Sequence, residues 1–204
     1  VTAPTLAIYR TPLSGHSHRV EAFVVMLGLP YTFIDTPAAA RRTPEFRARN
    51  PLGQIPVLKD GELVLADSDA ILVYLARRYG AEWLPTEAVA AAQVQRWLSI
   101  AAGELKYGPA AARIACVWGA GDPAGPQAIA RSLFQYMDAH LTGRAYLATD
   151  RPTIADLACY AYTAHAPEGG VSLDPYPAIR AWIARVEALP NFKPMPRSAR
   201  PAGG

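Results

Sequence analysis

The apolar spacing of this chain changes character once, near residue 80, and that change restricts the fold more than any other feature. Before it, short alternating runs interleave with helical runs; after it, the apolar clusters recur almost entirely at helical spacing. Leu6 and Ile8 alternate within Thr5–Arg10 as a strand would, and Val20, Phe23, Val24 and Leu27 then share one helical face until Gly28 and Pro30 stop it. Tyr31 and Phe33 mark a second strand over Tyr31–Asp35, and the stretch that follows predicts a short helix or loop. Ile55–Leu58 and Leu63–Leu65, separated by Asp60 and Gly61, predict a hairpin, and Ile71, Leu72, Leu75 and Tyr79 a third helix. The order is β-α-β, a connection, then β-β-α. A helix joining the first two strands makes them parallel, so a compact mixed α/β layer is expected.

Gly80–Thr86 has no period and contains Pro85, which predicts a linker. Beyond it, Val94, Trp97, Leu98, Ala101 and Leu105 mark a long helix, and Ile129, Leu133, Phe134, Met137 and Leu141 another. Ile154, Leu157, Ala158, Ala161 and Tyr162 give a third face; Ile179, Trp182, Ile183, Val186 and Leu189 give a fourth. Thr153 followed by Asp156 is a variant of the capping box, a signal of helix nucleation and not of chemistry. The expected division is an α/β domain over 1–79, a linker over 80–87, an all-helical domain over 88–193 and a loosely ordered tail over 194–204.

Composition narrows the function classes. A chain of 204 residues with 51% hydrophobic content can bury a sizeable core, as one large or two small domains. Its net charge of +3 is unclustered, so neither nucleic acid nor a membrane surface is an expected partner. Arg41, Arg42, Arg47 and Arg49, and the tail with Lys193, Arg197 and Arg200, read as solvated surface. No apolar run reaches the roughly 18 residues that span a bilayer and no secretory signal series is visible, so a cytoplasmic location is expected. The two cysteines, Cys116 and Cys159, lack metal or redox spacing and read as small hydrophobes. With His16, His18, His140 and His165 scattered, no metal site is expected. Gly119, Gly121 and Gly125 enclose Pro123 and lack the strand-to-helix setting of a dinucleotide loop.

Three segments of the first half can carry chemistry together: Ser14-Gly15-His16-Ser17-His18-Arg19-Val20, Asn50-Pro51-Leu52-Gly53-Gln54-Ile55-Pro56-Val57-Leu58, and Ala66-Asp67-Ser68-Asp69-Ala70-Ile71. Each stands where a strand or loop gives way to the next element, and there backbone amides point outward for a ligand. Ser14 or Ser17 suits the N-cap of the first helix, and Ser68 that of the third. Pro56, with no amide hydrogen, belongs at a strand start or edge.

Taken in order, with Pro152-Thr153-Ile154-Ala155-Asp156 far downstream, these segments resemble the cytosolic glutathione transferases of the bacterial, serine-containing kind. The resemblance covers the chain up to its tail and implies a thioredoxin-like N-terminal domain followed by a helical one. It implies that Ser14 faces the sulfur of glutathione, the co-substrate, with Ser17 and His16 as the neighbouring candidates. Holding a thiol as thiolate needs about 1.4 kcal/mol of differential stabilisation per unit of pKa, which one charge-assisted hydrogen bond near a helix N-terminus can supply. The resemblance further implies a cis Pro56 that turns the Ile55 backbone toward the cysteinyl portion of the tripeptide, with Gln54 reaching the glycyl carboxylate. Asp67 would pair with the γ-glutamyl ammonium, and Ser68 with its carboxylate. No cysteine lies between Leu13 and Val20, so thiol–disulfide exchange is not expected.

The small hydrophobic electrophile is expected against the helical domain, near Tyr107, Arg113 and Trp118, which are otherwise ordinary core aromatics and charge. The activity expected is transfer of glutathione to that electrophile, a detoxification chemistry, in a homodimer. Two other readings keep the fold. A glutathione-dependent isomerase of the maleylacetoacetate type would add and release the thiol, although His16 stands where that class carries a cysteine. A non-enzymatic transferase-like binding module would lose site residues, whereas Ser14, Gln54, Pro56, Asp67 and Ser68 are all present.

Overall fold

A computed structural model of the chain describes residues 6–199. Its first half holds four strands, β1 (Leu6–Arg10), β2 (Tyr31–Asp35), β3 (Val57–Asp60) and β4 (Leu63–Ala66), in the sheet order β2-β1-β3-β4. β1 and β2 run parallel with Ile8 opposite Phe33, and β3 pairs antiparallel with both β1 and β4. Thr5, expected to open β1, lies outside the described residues. The strand expected from Ile55 begins at Val57 instead, since Pro56 has no hydrogen to give a ladder. Three helices complete this half: α1 (Gly15–Met26), α2 (Pro44–Arg49) and α3 (Ser68–Tyr79). Leu6, Ile8, Val20, Phe23, Val24, Leu58, Ile71, Leu72 and Leu75 are buried between sheet and helices.

The connection after residue 80 contains a short 3-10 turn, Ala81–Trp83, whose Trp83 ring stands edge-on to Phe23 at 5.4 Å. Five helices follow: α4 (Ala88–Ala102), α5 (Ala111–Trp118), α6 (Ala124–Leu141), α7 (Ile154–Ala164) and α8 (Pro177–Glu187). The long helix expected to run through Leu105 stops at Ala102, and Gly103 (φ −99°, ψ −104°) turns the chain. A π-helical turn, Lys106–Ala110, then carries Pro109 into α5. Proline removes one helical donor, and the wider turn absorbs the misfit. Gly108 on that turn lets α6 approach, because a Cβ there would sit 2.9 Å from the Ala130 amide nitrogen. Ile129, expected in the core face of α6, is 40% exposed.

α7 is the axis of the molecule. Ile154 to Thr163 are all buried, and α1, α3, α4 and α8 pack around them. The capping box expected from Thr153 and Asp156 is present. Asp156 also accepts from the Leu147 amide and from Trp182 Nε1, both at 2.9 Å, so one buried carboxylate ties α7 to the preceding loop and to α8. Unmaking it leaves several buried donors without partners. Asp156→Ala should therefore cost about 3 kcal/mol or more in urea unfolding; a loss under about 1 kcal/mol would show the network to be incidental.

The tail expected to be loosely ordered is held where it is described. Met195 is buried, its carbonyl lies 3.1 Å from His165 Nε2, and Ser198 donates to Glu168. Two apolar rings explain the docking further back: Phe192 and Tyr160 enclose His18, whose Nε2 donates to the Lys193 carbonyl at 2.8 Å. Burial, the largest influence, lowers the His18 pKa from 6.5 to about 4 against that hydrogen bond. Between these values the unfolded chain binds more protons than the folded one, so stability falls as pH drops from 6.5 toward 4. The loss attributable to His18 is about 3 kcal/mol, and His18→Gln should flatten the acid slope of urea midpoints. An unaltered slope in that variant would assign the acid sensitivity elsewhere.

Candidate functional site

The two halves enclose a cleft of about 280 Å³. Ser14, His16, Gln54, Ile55, Pro56, Asp67 and Ser68 line it from the first half, and Ala102, Lys106, Ile114 and Tyr162 from the second. All three sequence segments thus meet in one place.

Ser14 is the N-cap of α1, with extended backbone (φ −84°, ψ 120°), and its Oγ accepts from the Ser17 amide at 3.3 Å. An acceptor contact of that length leaves the Ser14 hydroxyl proton for another partner, beside the positive end of α1. Ser17 is separated from the cleft. It is completely buried, and its Oγ accepts from the Thr11 amide at 3.2 Å, which pins the loop before Ser14. His16 lines the cleft with its ring edge-on to Tyr162 at 5.1 Å and its Nδ1 3.3 Å from Ser68 Oγ. Burial first, then the charges of Arg19 and Lys106, lower its pKa from 6.5 to about 3. His16 is therefore a neutral wall at physiological pH and supplies no cation.

The second segment is organised by Asn50, which is buried: its Nδ2 donates to the Gln54 carbonyl at 2.9 Å and its Oδ1 accepts from Leu52 at 3.1 Å. Gly53 takes a positive φ of 64° and lies close to the Arg41 carbonyl, where a Cβ would be 3.1 Å away. The Ile55–Pro56 bond is cis. Arg41 comes to the same cleft as Gln54, although composition alone reads it as solvated surface.

In the third segment the N-cap of α3 is Asp67 and not Ser68. Asp67 Oδ1 accepts from the amides of Asp69 and Ala70, both at 3.0 Å, with φ at 76°. A non-glycine residue in this region is held by its surroundings, and such positions cluster at ligand sites. Ser68 sits one place inside the helix, buried, and accepts from Arg19 Nη1 at 3.3 Å. Arg19 is itself buried in α1 and pairs with Asp69 at 2.5 Å. Helix α1 thereby sets the orientation of the first turn of α3.

A second cleft of about 260 Å³ adjoins the first and shares Ser14, Arg41, Ile55, Ile114 and Tyr162 with it. Arg113 and Trp118 line it as expected, with the Arg113 guanidinium 5.0 Å over the Trp118 ring. Tyr107 does not. The π turn brings Lys106 to the cleft, and Tyr107 is left 59% exposed beneath the Lys106 ammonium.

Tyr162 is the residue that sequence reasoning placed in the core and missed in the site. Burial, the largest influence, raises its phenol, opposed by Arg19, the His16 amide, Arg113 and the Ser14 side chain. Its helical spacing with Ile154 and Ala158 carried no hint of the cleft, and neither Lys106 nor Ile114 had any local signal. Asp69, also missed, stands beside the named Asp67-Ser68 pair.

Among the described residues no group of His, Cys, Asp or Glu is arranged to hold a metal ion, and no helix is long and apolar enough to cross a membrane.

Comparison with known proteins matches both halves of the chain to one family. The family model for the glutathione S-transferase N-terminal domain matches residues 8–83, and that for the C-terminal domain matches residues 127–190. Glutathione S-transferase 3 of Zea mays is 32% identical, over 92% of this chain and 91% of its own. Glutathione S-transferase 2 of Anopheles gambiae is 33% identical, over 82% and 81% respectively. Among solved structures, a glutathione S-transferase of Xanthobacter autotrophicus superposes with a TM-score of 0.88 at 30% identity, covering 94% of this chain and 97% of that one. The theta class glutathione S-transferase of Xanthomonas axonopodis pv. citri, solved with glutathione bound, gives a TM-score of 0.85 at 26% identity, covering 92% and 95%. With both halves matched, and with relatives aligned over nearly their whole length, the chain belongs to the glutathione S-transferase family.

Proposed function

We propose that this chain binds glutathione in the cleft, holds its sulfur as a thiolate through Ser14, and directs it at small hydrophobic electrophiles. One observation carries the reading: Ser14, Gln54, Ile55, Asp67 and Ser68, scattered over three segments, line a single cleft whose opposite wall is helical. The division of labour follows. Residues 1–79 hold the tripeptide, 80–87 link, and 88–193 supply the electrophile side; a cytoplasmic homodimer with a detoxifying role is the setting.

Each end of the tripeptide has a chemical counterpart. Asp67 spends Oδ1 on two helix amides and keeps Oδ2 for the γ-glutamyl ammonium. Ser68, held by Arg19, and the start of α3 face the neighbouring carboxylate. The glycyl carboxylate falls to Gln54 and to Arg41, the cation beside it. Ile55 offers its backbone to the cysteinyl peptide as an added strand would. The sulfur then lies by Ser14, where a hydroxyl donor and the helix N-terminus favour the anion over the thiol. The protein forms no bond with either substrate; it raises the reactive fraction of the sulfur and holds the electrophile close to it.

Ultraviolet titration of bound glutathione tests the proposal. The bound thiol should ionise about two units below the ordinary value of about 8.5. In Ser14→Ala it should return toward that value, and kcat/KM should fall by about 10²-fold. If the variant titrates like the wild type, Ser14 does not carry the role, and Tyr162 is the next hydroxyl in the cleft. No calorimetric heat and no saturation with glutathione would end the reading altogether.

A further inference from the structure

The turn that leads into Ser14 has an unusual backbone. The Ser14 amide donates to the Thr11 carbonyl at 3.2 Å, which makes Pro12 and Leu13 the central residues of a β-turn. Leu13 takes a φ of 64°. A positive φ in the third place belongs to a type II turn, where glycine or asparagine is usual, and a leucine there must be held by its surroundings. The holding group comes from the other half of the chain: Arg113 Nη1 donates to the Leu13 carbonyl at 2.8 Å. That carbonyl and the Ser14 amide belong to one planar peptide unit, so it is fixed at both edges, by Arg113 and by Thr11. Ser14 starts from that plane.

Arg113 is itself fixed. It is 2% exposed, and its Nε donates to Glu168 Oε2 at 2.7 Å. Gly169 brings Glu168 within reach, because a Cβ at residue 169 would lie 2.7 Å from the Arg113 amide nitrogen. Glu168 is braced in turn by His165 Nδ1 at 2.6 Å and by the amide and hydroxyl of Ser198. A buried ion pair adds little net stability, but a planar fork held at one nitrogen has a set direction for the next.

We infer that Arg113, set by Glu168, is a positioning residue for Ser14: it holds the left-handed Leu13 and thereby aims the Ser14 hydroxyl at the sulfur. The inference rests on the glutathione reading above and adds residues that act on the thiol without touching it. Released, Leu13 returns to a negative φ, the Leu13–Ser14 peptide turns with it, and the hydroxyl loses its aim.

Arg113→Lys tests this, since it keeps the charge and puts one nitrogen where the clamp uses two. At saturating glutathione the bound thiol should titrate about one unit higher in the variant, a tenfold fall in the ratio of thiolate to thiol. The calorimetric Kd of S-methylglutathione, which has no proton on sulfur, should stay within about twofold. Adding Leu13→Gly should bring the titration back toward the wild type, because glycine holds a positive φ unaided; neither a lost charge nor a loosened fold is repaired that way. A wild-type titration in Arg113→Lys, or a raised one that Leu13→Gly leaves raised, overturns the inference. If circular dichroism shows that Arg113→Lys does not fold, Glu168→Gln decides by sign. Loss of an anion lowers the thiol pKa by charge alone, whereas a slackened Arg113 raises it, so a fall or no change overturns the inference. Wild-type protein that binds no glutathione, or binds it without lowering the thiol pKa, removes the glutathione reading and this inference together. A lowered wild-type value that Arg113→Lys leaves in place removes this inference only.

Discussion

The turn that carries Ser14 rests directly on α7. Gly15 makes this possible: a Cβ at that position would lie 2.7 Å from the Tyr162 ring, closer than atoms of a folded chain approach. With glycine there, the N-terminus of α1 seats against the most buried helix of the molecule, and the His16 ring settles edge-on against the same tyrosine. The cleft exists because of that contact. Its floor is the central helix, and its walls are whatever the two halves bring up on either side. Thr11, through Ser17 Oγ, and Leu13, through Arg113, tie down the same turn from behind. The Ser14 hydroxyl is thus positioned by contacts made by its neighbours on the same turn.

Charge is arranged on the same plan. Arg19 and Asp69 form a nearly dry ion pair between α1 and α3, with burial raising the Asp69 carboxyl against the pull of Arg19. Such a pair contributes little net stability once both ions are dehydrated, but it specifies one relative placement of two helices. Ser68 hangs from that pair. Across the molecule, Glu168 gathers Arg113, His165 and Ser198 on one carboxylate, and its pKa is lowered to about 2 although burial, the largest single influence, acts in the opposite direction. The C-terminal segment therefore closes behind the second cleft, which Arg113 lines, and is part of its support. Cations at Arg41, Lys106 and Arg113 face acids at Asp67 and Asp69 around the two clefts, which suits a ligand that carries both signs.

The order of elements, the parallel first pair of strands, the hairpin at Gly61 and the capping box at Thr153 were all legible in the sequence. They follow from period, punctuation and side-chain-to-backbone bonding within a few residues, and these act before the chain has a tertiary structure. The three segments that line the cleft were legible for the same reason, since each is a local junction with its own turn chemistry. Local chemistry misled in two places. Ser68 reads as a helix cap, but the carboxylate before it is the better acceptor for two amides and takes the position. Ser17 reads as a second candidate beside Ser14, but the first turn of α1 directs it into the interior.

What the sequence determined by itself is the succession of elements and the chemistry held at each junction. Only the tertiary structure decided which far-off residues complete the site: Tyr162 from a helix that looks like core, Arg41 from a stretch that looks like surface, and Lys106 in place of Tyr107. These depend on how helices from two halves cross and on a π turn that shifts the helical phase. Periodicity records which face of a helix is apolar, and it contains no information about which part of that face a neighbouring domain leaves open.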